Sequence, residues 1–485
     1  FRLALPSRID LTSGPRSGQP PDYTAPPESR QPNPSAMQSH EAQTDIDLLI
    51  EARWVIPVEP AGVVLEHHAV AVQDGRIADL LPSDEARRRY RPRTLRTLGE
   101  HVLIPGLINL HAHAAMNLLR GYADDQPLMR WLTEHIWPIE ASVIGPEFVA
   151  DGVELAIAEM LRGGTTCCNE NYFFPDVGAA VYRRHGFRAL VGLPIIDFPT
   201  AWAKTQDEYF DRAGEVHDLY RRDGLVRTCF APHAPYTVSD ASFERIRVLS
   251  DQLDVPVHCH VHETAQEIGD AVKLHGMRPI ARLDRLGLVN DRLIAVHMTQ
   301  LTDAEIALCA ARGASVAHCP ESNLKLASGF CRVEDLRRAG VNLALGTDGC
   351  ASNNDLDMFG EMRSAALLAK AVANDASALD AASTLRMATL GGARAIGMGD
   401  IIGSIETGKR ADLICVDMDR IETQPLYDPI SQLVYATGRQ HVTDVWIDGR
   451  AQLRDGELAG IDATMVIAKA RQWRERIATI ETIAR

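Results

Sequence analysis

The segment INLHAHAAMNLLRG, residues 108–121, carries two histidines directly after the apolar run HVLIPGLI. Residues i and i+2 of a β-strand point to the same side, with Cα atoms about 6.6 Å apart. His111 and His113 can therefore bind one metal ion from one face of a strand. A single His-x-His pair is a weak signal, because two hydrogen-bonded histidines in a protein core give the same pattern.

Further imidazole and carboxylate side chains occur where other apolar runs end. They are His233, His260, Glu263, His297 and Asp348. A set of three imidazoles and one carboxylate suits a zinc-like divalent ion with an open position for water. The predicted metal ligands are His111, His113, His260 and Asp348. The sequence has no cluster of cysteines, which disfavours a closed structural site.

The segment VPVHCHVHETAQEI offers three histidines of the same strand parity, so alternation alone does not select the ligand. His258 lies deeper in the predicted strand, which favours a buried, hydrogen-bonded role in the core. His262 follows the end of the strand and is expected to turn away. His260 remains as the ligand, with Glu263 as a carboxylate of the same site. The alternative for Glu263 is a residue at a helix N-terminus, where the helix dipole favours an acidic side chain.

The middle of the chain contains eight strand-like runs, with helical patterns between several of them. They are VLIPGLINLHAH, TTCCNENYF, FRALVGLPII, VRTCFAPHAP, VPVHCHVHE, LIAVHMTQ, ASVAHCP and VNLALGTDG. This alternation predicts an α/β fold with a (β/α)8 TIM-type barrel, in which chemistry is located where strands end and loops begin. An open, doubly wound sheet is the structural alternative. Its dinucleotide-binding version is weakened because no GxGxxG follows the first strand.

The two ends of the chain share short apolar runs with turn signals, among them QDGR in the first half. We therefore predict that residues 46–105 and 401–460 pair into one small β-sandwich domain beside a barrel of residues 106–400. Two unrelated small subdomains are the alternative. Residues 461–485 are predicted to form a C-terminal helix. Residues 1–45, which begin with a stretch rich in Pro, Ser, Gly and Arg, are predicted to be a disordered or extension segment.

Composition argues against several classes of function. The formal net charge of −15 disfavours nucleic acid as the main partner, because binding phosphates requires a basic surface. No apolar run is long enough to span a bilayer, so no membrane partner is expected. Nine cysteines without a disulfide framework indicate a reducing, cytoplasmic environment. A barrel with an added β domain and a terminal helix is expected to form a homo-oligomer, either a dimer or a tetramer.

Several motifs taken together carry a family resemblance. PGLINLHAH, HVHETAQE, AVHM and LGTDGCASNNDLDMFGEM resemble the amidohydrolase superfamily. ADDQPLMRWLTEHIWPIEA is similar to the branch of 5-methylthioadenosine/S-adenosylhomocysteine deaminases, which is related to the triazine chlorohydrolases. The resemblance covers about Asp47 to the C-terminus. It implies a metal-dependent hydrolase that releases ammonia from an adenosine-type nucleoside and leaves the inosine analogue.

The resemblance implies a role for each matching residue. The metal ligands are again His111, His113, His260 and Asp348, which would hold one zinc or iron ion. Glu263 matches the proton-shuttling glutamate, and His297 matches a histidine that assists the water. Substrate binding is assigned to Trp131, Glu140, His233, Glu263 and Asp348, with Glu140 on the ribose hydroxyls. Core packing is the alternative for Trp131, and loop capping is the alternative to a place beside the site for Asn323.

These roles imply hydrolytic deamination at C6 of an adenine ring. A divalent metal lowers the pKa of water towards about 7, so that hydroxide is available at neutral pH. Asp348 and His297 are expected to hold and deprotonate that water, and protonated Glu263 to donate to ring N1. A carboxyl group in apolar surroundings can keep its proton at pH 7. The catalytic residues are therefore predicted to be Glu263, His297 and Asp348.

One position departs from the pattern of the branch. Its members often have an arginine soon after RALVG that can meet the amino-acid end of homocysteine, whereas Pro194 follows here. The apolar segment PIIDFPTAW predicts an uncharged substituent, and hence a preference for methylthioadenosine over adenosylhomocysteine. The alternatives are a guanine deaminase or a triazine-type chlorohydrolase, neither of which needs Glu140 for a ribose. A catalytically silent barrel is disfavoured because all the metal ligands are present.

Overall fold

The structure is a computed structural model in which residues 43–484 are described. The disordered or extension segment predicted for residues 1–45 lies almost entirely outside the described residues. Within the described range, no helix is long and apolar enough to cross a membrane.

One eight-stranded sheet is built from both ends of the described chain. Its strands are β1 (Thr44–Val55), β2 (Leu65–Gln73), β3 (Arg76–Pro82), β4 (Tyr90–Pro105), β13 (Leu413–Asp417), β14 (Val442–Ile447), β15 (Arg450–Arg454) and β16 (Glu457–Leu458). Antiparallel pairing of β4 with β13 joins the two ends, with Leu103 opposite Cys415. The β3 edge of the sheet comes back towards β13, since Arg76 forms an isolated antiparallel bridge with Arg410 just before that strand, and we call this sheet the curled sheet. The apolar side chains that it encloses come from both halves, with Trp446 among the largest.

The second sheet contains the eight runs predicted from the sequence, all parallel and in chain order. Its strands are β5 (Leu107–Ala112), β6 (Thr165–Glu170), β7 (Arg188–Ile195), β8 (Val226–Pro232), β9 (Val257–Val261), β10 (Leu293–His297), β11 (Ser315–His318) and β12 (Asn342–Leu345). The end of β12 returns to β5: the Asp348 amide donates to the His111 carbonyl at 2.9 Å. Asn109 Nδ2 also donates to Thr347 Oγ1 at 2.7 Å. These contacts close the barrel, and the predicted fold class is confirmed.

The run VLIPGLINLHAH belongs to both sheets. β4 ends at Pro105 and β5 begins at Leu107, so the chain passes from the curled sheet into the barrel at Gly106. Only glycine fits there, because a Cβ atom at Gly106 would lie 2.0 Å from Thr166 Oγ1. The domain boundaries predicted at this point and near residue 400 stay a prediction.

Helices connect successive barrel strands, as the alternating pattern predicts. The α-helices are α1 (Ser83–Arg89), α2 (Leu128–Arg130), α3 (Trp137–Val143), α4 (Pro146–Arg162), α5 (Pro175–Arg184), α6 (Gln206–Tyr220), α7 (Asp240–Leu253), α8 (Ala265–His275), α9 (Pro279–Arg285), α10 (Asp303–Arg312), α11 (Pro320–Lys325), α12 (Val333–Arg338), α13 (Met358–Ala373), α14 (Ala381–Arg386), α15 (Gly392–Ala395), α16 (Pro429–Tyr435) and α17 (Ala463–Ala484). In the C-terminal helix α17, the Trp473 ring packs edge-on against Phe148 of α4, with 5.2 Å between ring centroids.

A long connection between β5 and α4 supplies the cover of the barrel's C-terminal end. It contains a 3₁₀ turn at Ala114–Leu119, α2, a π-helical turn at Trp131–Ile136, and α3. π-helical turns are rare and often occur at functional sites. We refer to residues 114–143 as the cover.

Candidate metal and active site

Four side chains from the ends of three barrel strands come together around the His111 ring. Nε2 of His111 and Nε2 of His113 each lie 3.2 Å from Oδ1 of Asp348. Nε2 of His260 lies 3.2 Å from Nε2 of His111. The structure therefore brings together the four residues that the sequence predicted as metal ligands.

The strands place these side chains for simple geometric reasons. His111 and His113 are two residues apart at the end of β5, so both face the barrel axis. Asp348 follows β12 in a left-handed conformation, with φ of 66°. Its carboxylate is held from both sides, because the Gly349 amide donates to Oδ1 at 2.8 Å and Ser322 Oγ donates to Oδ2 at 2.7 Å.

The second nitrogen of each histidine is engaged behind the site. His260 Nδ1 lies 2.6 Å from the carbonyl oxygen of His233, and His113 Nδ1 contacts the carbonyl oxygen of Asn171. A carbonyl oxygen can only accept, so in the neutral rings Nδ1 carries the proton and Nε2 presents its lone pair to the site. His111 Nδ1 lies 3.0 Å from His258 Nε2. This arrangement is typical of metal-binding histidines, whose other ring nitrogen is oriented by a hydrogen bond.

The other two histidines of VPVHCHVHETAQEI lie where the sequence predicted. His258 is fully buried in β9, and its Nε2 contacts Nδ1 of His111, not the Nε2 atom of that ring that faces His260 and Asp348. His262 has a left-handed φ of 56° and turns away, so that its Nε2 accepts from the Ile280 amide at 3.1 Å. His260 is therefore the only one of the three whose ring enters the cluster.

Burial and charge set the protonation of the cluster. Burial lowers the pKa of His111 to about 4 and that of His260 well below its usual value. Burial opposes ionisation of Asp348, but hydrogen bonds with His111 and His113 keep its pKa well below the ordinary range. Burial likewise opposes a charged His113, yet Asp348 outweighs it and raises the His113 pKa to about 9. The cluster thus stabilises positive charge beside Asp348.

The donor set fits a divalent metal ion. Three imidazole nitrogens and one carboxylate oxygen lie close together, and these are ligand types that zinc and ferrous iron accept. In neutral His113 and His260 the ring tautomer leaves a lone pair on Nε2 for a ligand bond, and no cysteine takes part. These residues could hold one ion and leave room for a water molecule.

Glu263 follows β9, the strand that carries His260, and His297 is the last residue of the neighbouring strand β10. His297 Nε2 is 3.9 Å from Glu263 Oε1, and the His297 ring stacks on His260 with 5.5 Å between centroids. His297 Nδ1 lies 2.9 Å from Asn323 Oδ1, which places Asn323 beside the site. Burial raises the pKa of the Glu263 carboxyl group, as expected for a group that is to keep a proton. Glu267 fixes the Glu263 backbone by accepting its amide hydrogen at 2.6 Å.

A cavity of about 960 Å³, counted to its open mouth, adjoins the cluster and has the size of a small-molecule site. Its walls are mainly apolar. The predicted residues that line it are His113, Trp131, Glu140, His233, His260, Glu263, His297 and Asp348. His111 is buried behind this surface. Trp131 is 5% exposed. It lines the cavity and also packs in the hydrophobic core, so the predicted substrate contact and the alternative of core packing do not exclude each other.

Three further residues of the site were not predicted from the sequence. Ser322 donates to Asp348, Tyr172 donates to Glu140 Oε1 at 2.6 Å, and the Asn171 carbonyl orients His113. Asn171 and Tyr172 directly follow β6, so the rule that polar residues after strands are functional candidates could have found them. Ser322 gave no such signal.

Comparisons with known proteins agree with this geometry. The profile of the amidohydrolase family matches residues 102–451. A 5-methylthioadenosine/S-adenosylhomocysteine deaminase of Teredinibacter turnerae is 48% identical over 434 residues, which cover 90% of this chain and 98% of that protein. The protein of the same name from Saccharophagus degradans is 45% identical over 435 residues, with the same coverage.

Solved structures show the same fold. An adenosine deaminase from Xanthomonas campestris with bound zinc is 68% identical and has a TM-score of 0.90. The match covers 90% of this chain and 100% of that chain. An atrazine chlorohydrolase from Arthrobacter aurescens in complex with zinc has a TM-score of 0.82, with 88% of this chain and 99% of that chain covered. At 22% identity, the second similarity concerns the fold alone.

Proposed function

This chain belongs to the amidohydrolase family, and on that premise we propose that it is a metal-dependent deaminase of adenosine-type nucleosides, with 5′-methylthioadenosine as preferred substrate. The family resemblance seen in the sequence is confirmed, and so is the prediction of a hydrolase that acts on C–N bonds. One observation carries the proposal. The ligand cluster opens directly into an apolar cavity that also contains Glu263 and the ribose candidate Glu140.

The metal would be held by the four residues of the cluster, His111, His113, His260 and Asp348. When bound, a divalent ion of this kind lowers the pKa of water, so that a nucleophile is available at neutral pH. Zinc is the proposed ion, and iron is the alternative that the same ligands accept.

The proton transfers are assigned to side chains of this chain. Asp348 and His297 hold the water and Asp348 takes its proton as the water oxygen bonds to C6 of the adenine ring. Glu263 donates its proton to N1, which makes C6 more electrophilic. The proton removed from water then passes to the exocyclic amine, the C6–N bond breaks, and ammonia leaves. The hydroxyl group now on C6 gives its remaining proton to the Glu263 carboxylate, so that the inosine analogue with its C6 carbonyl remains and the acid is restored.

The cavity favours a nucleoside over the alternative substrates. A guanine or triazine ring carries no diol, and a carboxylate such as Glu140, held by Tyr172 in the cavity wall, suits ribose hydroxyls. These features support the nucleoside proposal over a guanine deaminase or a chlorohydrolase. All four predicted ligands are present and lie around His111, which argues against a catalytically silent barrel.

The apolar wall of the cavity supports an uncharged 5′ substituent. Trp137 lies one helical turn from Glu140 in α3, and its ring lies 6.3 Å from that of Phe198. Pro194 and Phe198 also line the cavity. Among residues 43–484, no lysine or arginine does so. A substituent that leaves the ribose towards these rings would thus meet apolar surface.

We expect kcat/KM for 5′-methylthioadenosine to exceed that for S-adenosylhomocysteine by at least about tenfold. The ammonium and carboxylate groups of homocysteine would lose water without gaining a charged partner, and unpaired charge is costly to bury. Initial rates with both substrates and with adenosine, which lacks the thioether, measure the ratio. A higher kcat/KM for S-adenosylhomocysteine would contradict the assignment.

The reaction itself is tested by ammonia release. Adenosine, 5′-methylthioadenosine, guanine and a chlorinated triazine are each incubated with metal-replete and with chelator-treated protein. We expect ammonia from the nucleosides only, and only in the metal-replete sample. Ammonia from guanine alone, or chloride from the triazine alone, would refute the proposed substrate class.

His258→Phe is expected to weaken metal binding by about 10–100-fold, because His258 is the residue that orients the His111 ring. A competition titration of zinc against a chromophoric chelator gives the affinity. His217→Phe is the matched control, since His217 is also buried and hydrogen-bonded, to Thr228 Oγ1 at 2.7 Å, but outside the cluster. Equal affinities of the two folded variants would show that His258 plays no part in holding the metal.

A further inference from the structure

A tyrosine and a glutamate from different parts of the barrel end meet in the cavity wall. Tyr172 lies in the loop after β6, whereas Glu140 belongs to α3 of the cover. The Tyr172 hydroxyl donates to Glu140 Oε1 at 2.6 Å. Both residues line the cavity, and Tyr172 is only 7% exposed.

The hydrogen-bonding capacity that this pair leaves open is specific. A phenol has one proton and two lone pairs, and Tyr172 has committed its proton to Glu140. Its oxygen can therefore only accept a further hydrogen bond. Within residues 43–484, Glu140 Oε2 has no hydrogen-bond donor. The pair thus presents two neighbouring acceptors and no donor.

A ribose has the complementary pattern, since its 2′ and 3′ hydroxyls are neighbouring donors. We propose that Tyr172 and Glu140 bind the ribose diol together, with Glu140 Oε2 accepting from one hydroxyl and Tyr172 Oη from the other. This inference rests on the proposed nucleoside substrate and assigns Tyr172 as a residue that selects ribosides. It also explains why Glu140 needs a fixed donor: a carboxylate that is free to rotate would not keep one oxygen aimed at the sugar.

A purely structural role for Tyr172 is the competing explanation. In that case the hydroxyl would only tie the cover to the β6 loop, and its removal would affect all substrates alike. The two roles are separated by analogues that lack one hydroxyl, because only direct recognition makes the loss depend on that hydroxyl.

The experiment compares kcat/KM for adenosine, 2′-deoxyadenosine and 3′-deoxyadenosine. In the unmodified holoenzyme we expect each deoxy analogue to be at least about tenfold poorer, since a tenfold change corresponds to one modest hydrogen bond. In Tyr172→Phe, adenosine itself should lose about tenfold, mainly through KM. We call the ratio of kcat/KM for adenosine to kcat/KM for a deoxy analogue the penalty of that analogue. In Tyr172→Phe the penalty of one of the two analogues should fall to nearly one, because the hydroxyl that it lacks no longer has a partner on the protein.

Two further variants keep the test decisive. Tyr90→Phe is the matched control, because Tyr90 is also buried and donates to a carboxylate, Asp79 Oδ2 at 3.1 Å, but lies in the curled sheet. It should leave all three values unchanged. Glu140→Gln, a substitution at the partly exposed end of the pair, should reduce the penalty for the other deoxy analogue.

Unchanged penalties for both deoxy analogues in Tyr172→Phe would overturn the proposal. An equal loss on all three substrates would do the same, because that result belongs to the structural role. Failure of the proposed function looks different, since then no adenosine derivative would release ammonia from any variant, including Tyr90→Phe.

Discussion

Glu263→Gln will lower kcat by about 10²–10⁴-fold while the protein keeps its metal, because a positioned proton donor contributes a factor of this size. Glutamine has nearly the same shape as glutamic acid but cannot transfer a proton to ring N1. Glu263 is buried, and burial raises the pKa of its carboxyl group, so the form that donates is favoured. It is also the acidic residue that lies 3.9 Å from His297 beside the ligand cluster.

Metal content and activity must be measured on the same preparation, by elemental analysis and by ammonia release. Glu51→Gln is a suitable control, because Glu51 is 3% exposed, lies in the curled sheet and contributes nothing to the cavity. It should leave kcat unchanged within a factor of about two. If Glu263→Gln loses its metal together with its activity, Glu263 belongs to the ligand set and its role as proton donor is wrong.

The positions of the four residues in the proposed ligand cluster were predictable because they follow from local rules. His111 and His113 share one face of a strand, and parallel strands bring their carboxyl ends to one rim of a barrel. The same rules separated His260 from His258 and His262. The fold class followed from the alternation of apolar runs and helical patterns. Such rules are limited by the distance along the chain over which they act, which is about one element.

Contacts between separate elements of the barrel end were not predictable. Ser322 reaches Asp348 from the short helix α11, and Tyr172 in the loop after β6 meets Glu140 of α3 across 32 residues of chain. Neither pair has a spacing rule, because the contact depends on how each loop turns after its strand. The left-handed backbone of His297 and Asp348 belongs to the same class, since such a conformation at a residue other than glycine is set by its tertiary surroundings.

Homo-oligomerisation and the domain boundaries stay predictions for a related reason. Both depend on surface contacts, which many different side chains can make. A metal-binding site, in contrast, accepts only a few residue types. Ile421 and Tyr427, for example, are more than 90% exposed in the loop after β13, and no pattern in the sequence states what they contact.

Asp348→Asn should abolish deamination, with kcat lowered by about 10⁴-fold or more, because one change removes both the charge of a proposed metal ligand and the proposed base. Asparagine keeps the shape of the side chain, its oxygen can still accept from the Gly349 amide, and the Ser322 hydroxyl can turn to accept from the new amide group. The variant should therefore fold.

The comparison with chelated, unmodified protein separates the two losses. Chelator-treated protein should recover its activity when zinc is added back, whereas Asp348→Asn should stay inactive even at zinc concentrations that fill its site. Ser322→Ala provides a graded control, because it removes only the donor to Oδ2 and should cost about tenfold. Recovery of Asp348→Asn by zinc alone would mean that Asp348 serves only as a ligand, and the base would have to be sought at His297, the other group proposed to hold the water.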